Sequence, residues 1–176
     1  MKRLLNKRGQ VWVETVIYTL IGLVIIGLVL AVAKPKIDAK KDEVIIEQAM
    51  EALGNINDKI YEVQRAIGNR RTIDLKIGKG TVIIDTSEDT ISWVIDSSFE
   101  YSESGAVVPV GSLDVLTEPS SPWKVTLLEE YNVDIQYDGQ TEGTKELSSA
   151  SVPYSLIIEN SGRNGSDDMV ITVSAS

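Results

Sequence analysis

The chain contains no cysteine and no histidine. Their absence removes disulfides, thiolate and imidazole metal ligands, and any mechanism built on a histidine base or a cysteine nucleophile. It also leaves the redox compartment unreadable from cysteine usage. Charge is missing from one long stretch: the nineteen residues Thr15–Ala33 carry none and are mostly Val, Ile, Leu, Gly and Ala. At ~1.5 Å rise per residue such a run makes ~28 Å of helix, close to the hydrocarbon thickness of a bilayer. No convincing internal repeat and no long linker is visible. The 176 residues therefore leave room for one ordinary domain beside a long N-terminal helix.

The charges that are present are unevenly placed. Residues 1–41 hold eight basic and two acidic side chains, whereas the remainder holds nine basic and twenty-four acidic ones. A strongly acidic body argues against nucleic acid, which needs a cationic face. It suits a head kept outside the cell and a basic leader kept inside. Four cations flank the apolar run on each side: Lys2, Arg3, Lys7 and Arg8 before it, then Lys34, Lys36, Lys40 and Lys41. Glu14 is the anomaly, a carboxylate set against the start of an oil-soluble segment. An ionised group there costs several kcal/mol unless it finds a partner. The plain alternative is a carboxylate at headgroup level, tolerated by the dipole of a helix N-terminus.

Lys7-Arg8-Gly9, then Gln10 and, four residues further on, Glu14 at the head of an apolar helix resembles the class III signal peptide of type IV pilins. The likeness is closest to archaeal pilins. It covers about the first 33 residues and rests on Arg8, Gly9, Gln10 and Glu14. Trp12 stands where serine is common in that family, and Tyr18 where leucine is common. The stretch Arg8–Glu14 also looks like the start of the pseudopilins of tight-adherence systems. The resemblance implies that a prepilin peptidase cuts after Gly9, removing the basic leader 1–9 and leaving Gln10 first and Glu14 fifth. It implies a precursor held in the cytoplasmic membrane through the apolar helix 10–33 and later an extracellular, type IV pilus-like filament that serves surface attachment. Its further partners are an assembly ATPase and a membrane platform protein, with no cofactor. By the same resemblance, the Glu14 carboxylate pairs with the free amino group of Gln10 on an adjacent subunit and sets the axial register. Cyclisation of an N-terminal glutamine removes that ammonium and leaves Glu14 dependent on hydrogen bonds. Gly22 and Gly27 are candidates for close helix approach, although their five-residue spacing is not the usual four-residue motif.

Two alternatives do without the filament. One is a single-pass anchored surface or binding domain that never polymerises. The other is a secreted acidic domain released by conventional cleavage near Ala33, where Ala31-Val32-Ala33 mimics a small-x-small site. Ordinary secretory cores run about 7–15 residues, shorter than this one.

Past Ala33, Lys34-Pro35-Lys36 predicts a kink. The helical pattern then resumes over 34–69. Ile46, Ala49, Leu53, Ile56, Ile60, Val63 and Ile67 alternate three- and four-residue steps, one stripe expected to pack under the β domain of its own chain rather than form a coiled coil. Gly68-Asn69 is the expected C-cap, closing a helix of ~50 residues. From residue 70 on, a period of two predicts an antiparallel, sandwich-like head, giving an α+β fold. Expected strands are Thr72–Ile77, Thr81–Thr86, Thr90–Asp96, Ser98–Ser102, Ala106–Val110, Trp123–Leu128, Tyr131–Tyr137, Val152–Glu159 and Met169–Ser174. Gly78-Lys79-Gly80 is expected to join the first two as a hairpin.

Several fragments resemble chemical motifs and fail a physical test. Ser121-Pro122-Trp123-Lys124 has Ser-x-x-Lys spacing, but that pair needs a helical turn and here proline leads into a strand. Asp134, Gln136, Asp138 and Gly139 resemble the start of a calcium loop, yet Lys145 stands where the bidentate glutamate belongs. A turn at Asp138-Gly139 is the expected reading. Gly78-Lys79-Gly80 is too short to cradle phosphate, and Asp167-Asp168 reads as a solvated turn rather than part of a weak calcium site. No enzyme and no metal centre is expected, since no constellation stands at catalytic spacing. Asn164-Gly165-Ser166 is an N-glycosylation sequon in a polar loop and equally a favoured Asn-Gly turn.

Overall fold

The computed structural model describes residues 7–176, with side chains described from Trp12 onward. The chain divides into two compact units, one ending at Ala39 and one running from Lys40 to Ser176. A single helix, α1 (Lys7–Val63, 57 residues), enters both and carries Pro35 inside it. Pro35 has no N–H to offer the carbonyl of Ala31, so one rung of the helical ladder is missing there.

Over Thr15–Ala33 α1 is uncharged on every side, and none of that stretch is buried within the described residues. In the second unit the helix becomes amphipathic. Ile46, Leu53, Ile60 and Val63 are fully buried and Ala49 and Ile56 nearly so, one residue every three or four. That is the spacing of a single helical stripe facing a core. The stripe and the strands form one hydrophobic core, joined by Leu75, Ile84, Ile91, Ile95, Val115, Leu127, Ile135, Leu156, Ile158 and Ile171 among others.

Ten strands follow: β1 (Arg70–Leu75), β2 (Thr81–Asp85), β3 (Thr90–Ser97), β4 (Val107–Val110), β5 (Leu113–Glu118), β6 (Trp123–Glu130), β7 (Asp134–Tyr137), β8 (Thr144–Ser148), β9 (Tyr154–Arg163) and β10 (Met169–Ala175). They make a four-stranded sheet in the order β1-β9-β10-β7 and a six-stranded sheet in the order β4-β5-β6-β3-β2-β8. All pairings are antiparallel except β7 with β10, which run parallel. Alternation is clean in β2, β3 and β6, whose inward positions Val82, Ile84, Ile91, Trp93, Ile95, Val125 and Leu127 are buried. The α+β class and the sandwich-like head are therefore as the sequence predicts.

Four expectations are corrected. The helix ends at Val63 rather than at the Gly68-Asn69 cap, and Ile67, placed on the stripe by spacing, is 76% exposed. Ser98–Ser102 is not a strand. The Ser97 hydroxyl there bonds to the backbone of Phe99, donating to its carbonyl and accepting from its N–H, and Ser98 turns inward to Asp42. Two strands escaped the pattern, β5 and the edge strand β8. Gly78-Lys79-Gly80 does not close a hairpin: β1 pairs with β9 in one sheet, while β2 pairs with β3 and β8 in the other. The segment is a crossing between sheets, and packing explains its glycine. Gly80 has φ +86°, a Cβ added there would lie 2.2 Å from the Val94 carbonyl oxygen, and the Trp93 indole donates to the Lys79 carbonyl at 3.0 Å. Only glycine fits against β3 at that point.

Candidate functional site

The strongest functional feature is α1 within the first unit. It is long and apolar enough to cross a membrane, and no membrane-spanning helix other than α1 occurs among the described residues. Its large side chains stand in the open: Trp12 is 72% exposed, and Leu20, Leu23, Leu28 and Val32 more than half exposed. Exposed apolar area on this scale does not stay in water. Glu14 lies on the same helix, exposed, one residue before the uncharged run. One turn later the Thr19 hydroxyl donates to the Thr15 carbonyl at 2.8 Å, so its polar atom is satisfied within the helix and spares the apolar surface. A Cβ added at Gly22 or Gly27 would meet nothing within 4 Å, which leaves both backbones open to a neighbour.

Arg8, Gly9 and Gln10 fall in the first turns of α1, and their side chains lie outside the described residues; so does Met1–Asn6, the bulk of the leader expected from the sequence.

In the second unit, polar side chains fasten the lower half of α1 to the sheets. Asp42 is only 7% exposed. Its Oδ1 accepts from the Lys79 ammonium, and its Oδ2 accepts from both the N–H and the hydroxyl of Ser98 at 2.7 Å each. Burial alone raises the pKa of this carboxyl. The Lys79 and Ser98 hydrogen bonds outweigh it and hold the group below the ordinary aspartate range. At the other end, Asn160 of β9 is buried and its Nδ2 donates to the carbonyl of Val63 at 3.1 Å, while its Oδ1 accepts from the Gly162 N–H at 3.0 Å. The Gly68 N–H donates to the Asn160 carbonyl, and the Asn160 N–H to that of Asn69. A strand residue thus caps the helix from across the domain. Between these anchors Glu62 accepts from Lys59 and Arg71, which together hold it below the ordinary glutamate range.

The loop motifs resolve into turns. Ser121-Pro122 is a cis peptide leading straight into β6, with no helical turn to bring Lys124 beside Ser121. Asp138 and Gly139 have φ of 49° and 79°, and the N–H of Gln140 donates to the carbonyl of Tyr137 at 2.9 Å, a tight two-residue turn. Asn164 folds its own loop: its Oδ1 accepts from the Ser166 and Asp168 N–H groups at 2.9 and 3.0 Å, and its Nδ2 donates to Asp134 at 2.9 Å. The Asn-Gly turn is present, and one amide N–H of the glycosylation candidate is already engaged. A polar hollow of about 330 Å³ sits there, lined by Asp89, Asp134, Asn164 and Asp168. Yet among the described residues no three carboxylates come together in a metal-binding arrangement. Asp89 is occupied, accepting from the Ile135 N–H at 2.8 Å.

Sequence reasoning missed Asp42 and Asn160. For Asp42 a signal existed: four residues before Ile46, it extends the buried stripe upward. For Asn160 none did, because its partner lies 97 residues away. No protein family, no curated protein and no solved structure matches the chain.

Proposed function

We propose that the chain is a structural pilin that polymerises through the N-terminal part of α1 into an extracellular filament, with the β domain as its outward head. The observation that carries this reading is a helix with two surfaces. Over Lys40–Val63 its apolar stripe is consumed by the core of the head, whereas over Thr15–Ala33 its apolar side chains find no cover among the described residues. Lipid covers them before assembly and copies of the same helix cover them afterwards. The exchange swaps one apolar environment for another, so packing and electrostatics decide it rather than net hydrophobic gain. Glu14, the lone acid beside that surface, is the natural register element. Its pairing with the amino terminus of Gln10 on a neighbour would be a buried pair, and losing one partner of such a pair costs ~3–5 kcal/mol.

Processing is the direct test. Mass spectrometry of the exported protein is expected to give a chain beginning at Gln10, and Gly9→Trp is expected to block that trimming and filament formation together. A working exported protein that retains Met1, or a trimmed chain that stays monomeric in detergent and forms no surface filament by electron microscopy, returns the chain to a single-pass anchored domain. A chain beginning just after Ala33 makes it a secreted one.

A further inference from the structure

Three buried polar side-chain atoms lack a hydrogen-bond partner among the described residues: Asn57 Oδ1, Glu129 Oε2 and Tyr131 Oη. They belong to one neighbourhood. Asn57, on α1, donates through Nδ2 to the Ser112 hydroxyl at 3.3 Å, and Ser112 in turn is a hydrogen-bonding neighbour of Glu129. Tyr131 follows β6 directly and feels the charge of both Glu129 and Tyr61. Glu129 occupies an inward position of β6, in register with Ile91 of β3 and two residues on from Leu127. It is 3% exposed and Asn57 8%. Among the described residues no cation pairs with a carboxylate so placed. The titratable groups near it are Asp114 on β5 and Tyr131, which itself neighbours Tyr61 of α1, and the neutral ones are Ser112, its partner Asn57 and the apolar Ile91. Every one of them is neutral or of like charge.

Ionised, Glu129 would set one orphaned acceptor against another, and a buried acceptor left without a donor is costly. Protonated, it has a donor to give. We propose that Glu129 is a proton-dependent latch between α1 and the six-stranded sheet, its neutral Oε2–H donating to Asn57 Oδ1, and that ionisation loosens the head's hold on the last turns of the helix. The direction of titration agrees: burial first, and then the Asp114 charge, push the Glu129 carboxyl above the ordinary glutamate range, with the Ser112 hydrogen bond opposing them. A carboxyl raised in the folded state contributes stability that is complete below its unfolded value, near 4.5, and is lost as pH rises through the raised value. Asp42 acts below about 3.8, outside that window. The latch concerns the head alone and does not depend on the chain forming filaments.

The test uses the full chain in detergent micelles between about pH 4 and pH 8, a range that spans the ordinary glutamate value and neutrality. For the native chain, the melting temperature is expected to fall as pH rises. Amide exchange in the last turns of α1, corrected for its intrinsic pH dependence, is expected to quicken about tenfold for each unit by which the carboxyl is raised. Glu129→Gln is expected to melt higher than the native chain at neutral pH and to lose the slope. Asn57→Ala keeps the carboxyl and removes its acceptor, so the acid-side gain is expected to shrink. Infrared spectroscopy is expected to show a protonated carboxyl band above the ordinary glutamate range, missing in the glutamine variant. A Glu129→Gln chain less stable than the native one at neutral pH overturns the latch, because the Asn57 amide then faces the other way and donates to an ionised carboxylate. Stabilisation of the native chain by sodium or calcium chloride, absent in the variant, overturns it too, since a cation then takes the proton's place.

Discussion

A carboxylate can be buried in this head under two opposite bargains. Asp42 is surrounded by donors, the Lys79 ammonium on one oxygen and both Ser98 groups on the other, and stays charged. Glu129 is surrounded by oxygens and an amide, and the neutral form suits it. The two therefore oppose each other in their response to acid. Asp42, held below its ordinary value, contributes stability above about pH 3.8 that is lost as pH falls through its lowered folded value. Asp42→Ala removes three hydrogen bonds to a charged group and strands the partly exposed Lys79, whose charge water still reaches. We expect a loss of ~2 kcal/mol, most of it from the two Ser98 hydrogen bonds rather than from the half-solvated lysine, with relief of the Asp42 desolvation offsetting part of it. Denaturant unfolding at neutral pH and again below pH ~3 checks both magnitude and sign, since the variant and the native chain should converge in acid. A gap that widens on acidification would contradict the assignment of charge.

At the scale of the element, α1 is two helices in one continuous backbone. Leu53 is fully buried in the middle of its stripe, and Leu53→Ala is expected to cost ~2–5 kcal/mol by transfer and cavity terms. Asn160→Ala, which uncaps the same helix from β9, is expected to cost ~1–3 kcal/mol by leaving the Val63 carbonyl and Gly162 N–H without their partner. Thermal unfolding of the two variants measures both losses. The comparison explains what was legible. Apolar periodicity is a local signal, so the stripe from Ile46 to Val63 and the alternating strands β2, β3 and β6 could be located from spacing alone. Where local and tertiary demands diverge, spacing misleads. Ile67 keeps the helical step but the chain has already left the helix, because Asn160 and Gly68 close it from outside. Gly78-Lys79-Gly80 has hairpin chemistry, yet the requirement that Gly80 pass beneath the Val94 carbonyl sends the chain into the other sheet. The strand β8 is polar, Thr-Lys-Glu-Leu-Ser, with one inward side chain, Leu147, and an edge strand needs no more pattern than that. The three orphaned atoms around Glu129 were out of reach altogether, since a glutamate at an alternating position is ordinarily read as a slip of the pattern.

For the whole molecule, the division at Ala39 makes the two parts of the proposed function separable by experiment. Residues from Lys40 onward carry the core, and nothing in Thr15–Ala33 contributes a buried side chain to it. A change near the tip of α1 is therefore expected to spare the stability of the head, and a change in the head's core to spare the apolar surface of the tip. Glu14→Ala is expected to leave the melting temperature of the head within about 2 °C of the native value, less than the shift ~1 kcal/mol gives in a domain of this size. The same substitution is expected to lower filament yield sharply, as loss of one partner from a buried pair does. Leu53→Ala is expected to invert that pattern, lowering the melting temperature by roughly 5–15 °C while trimmed subunits remain in the membrane. If Glu14→Ala instead leaves filaments intact, the carboxylate is a headgroup-level group on an N-terminal anchor, and register must come from apolar packing around Gly22 and Gly27. If it unfolds the head, α1 transmits strain past Ala39 and the two units are one cooperative body. Calorimetry paired with electron microscopy of the same preparations distinguishes these outcomes, because each variant has to move one reading and spare the other.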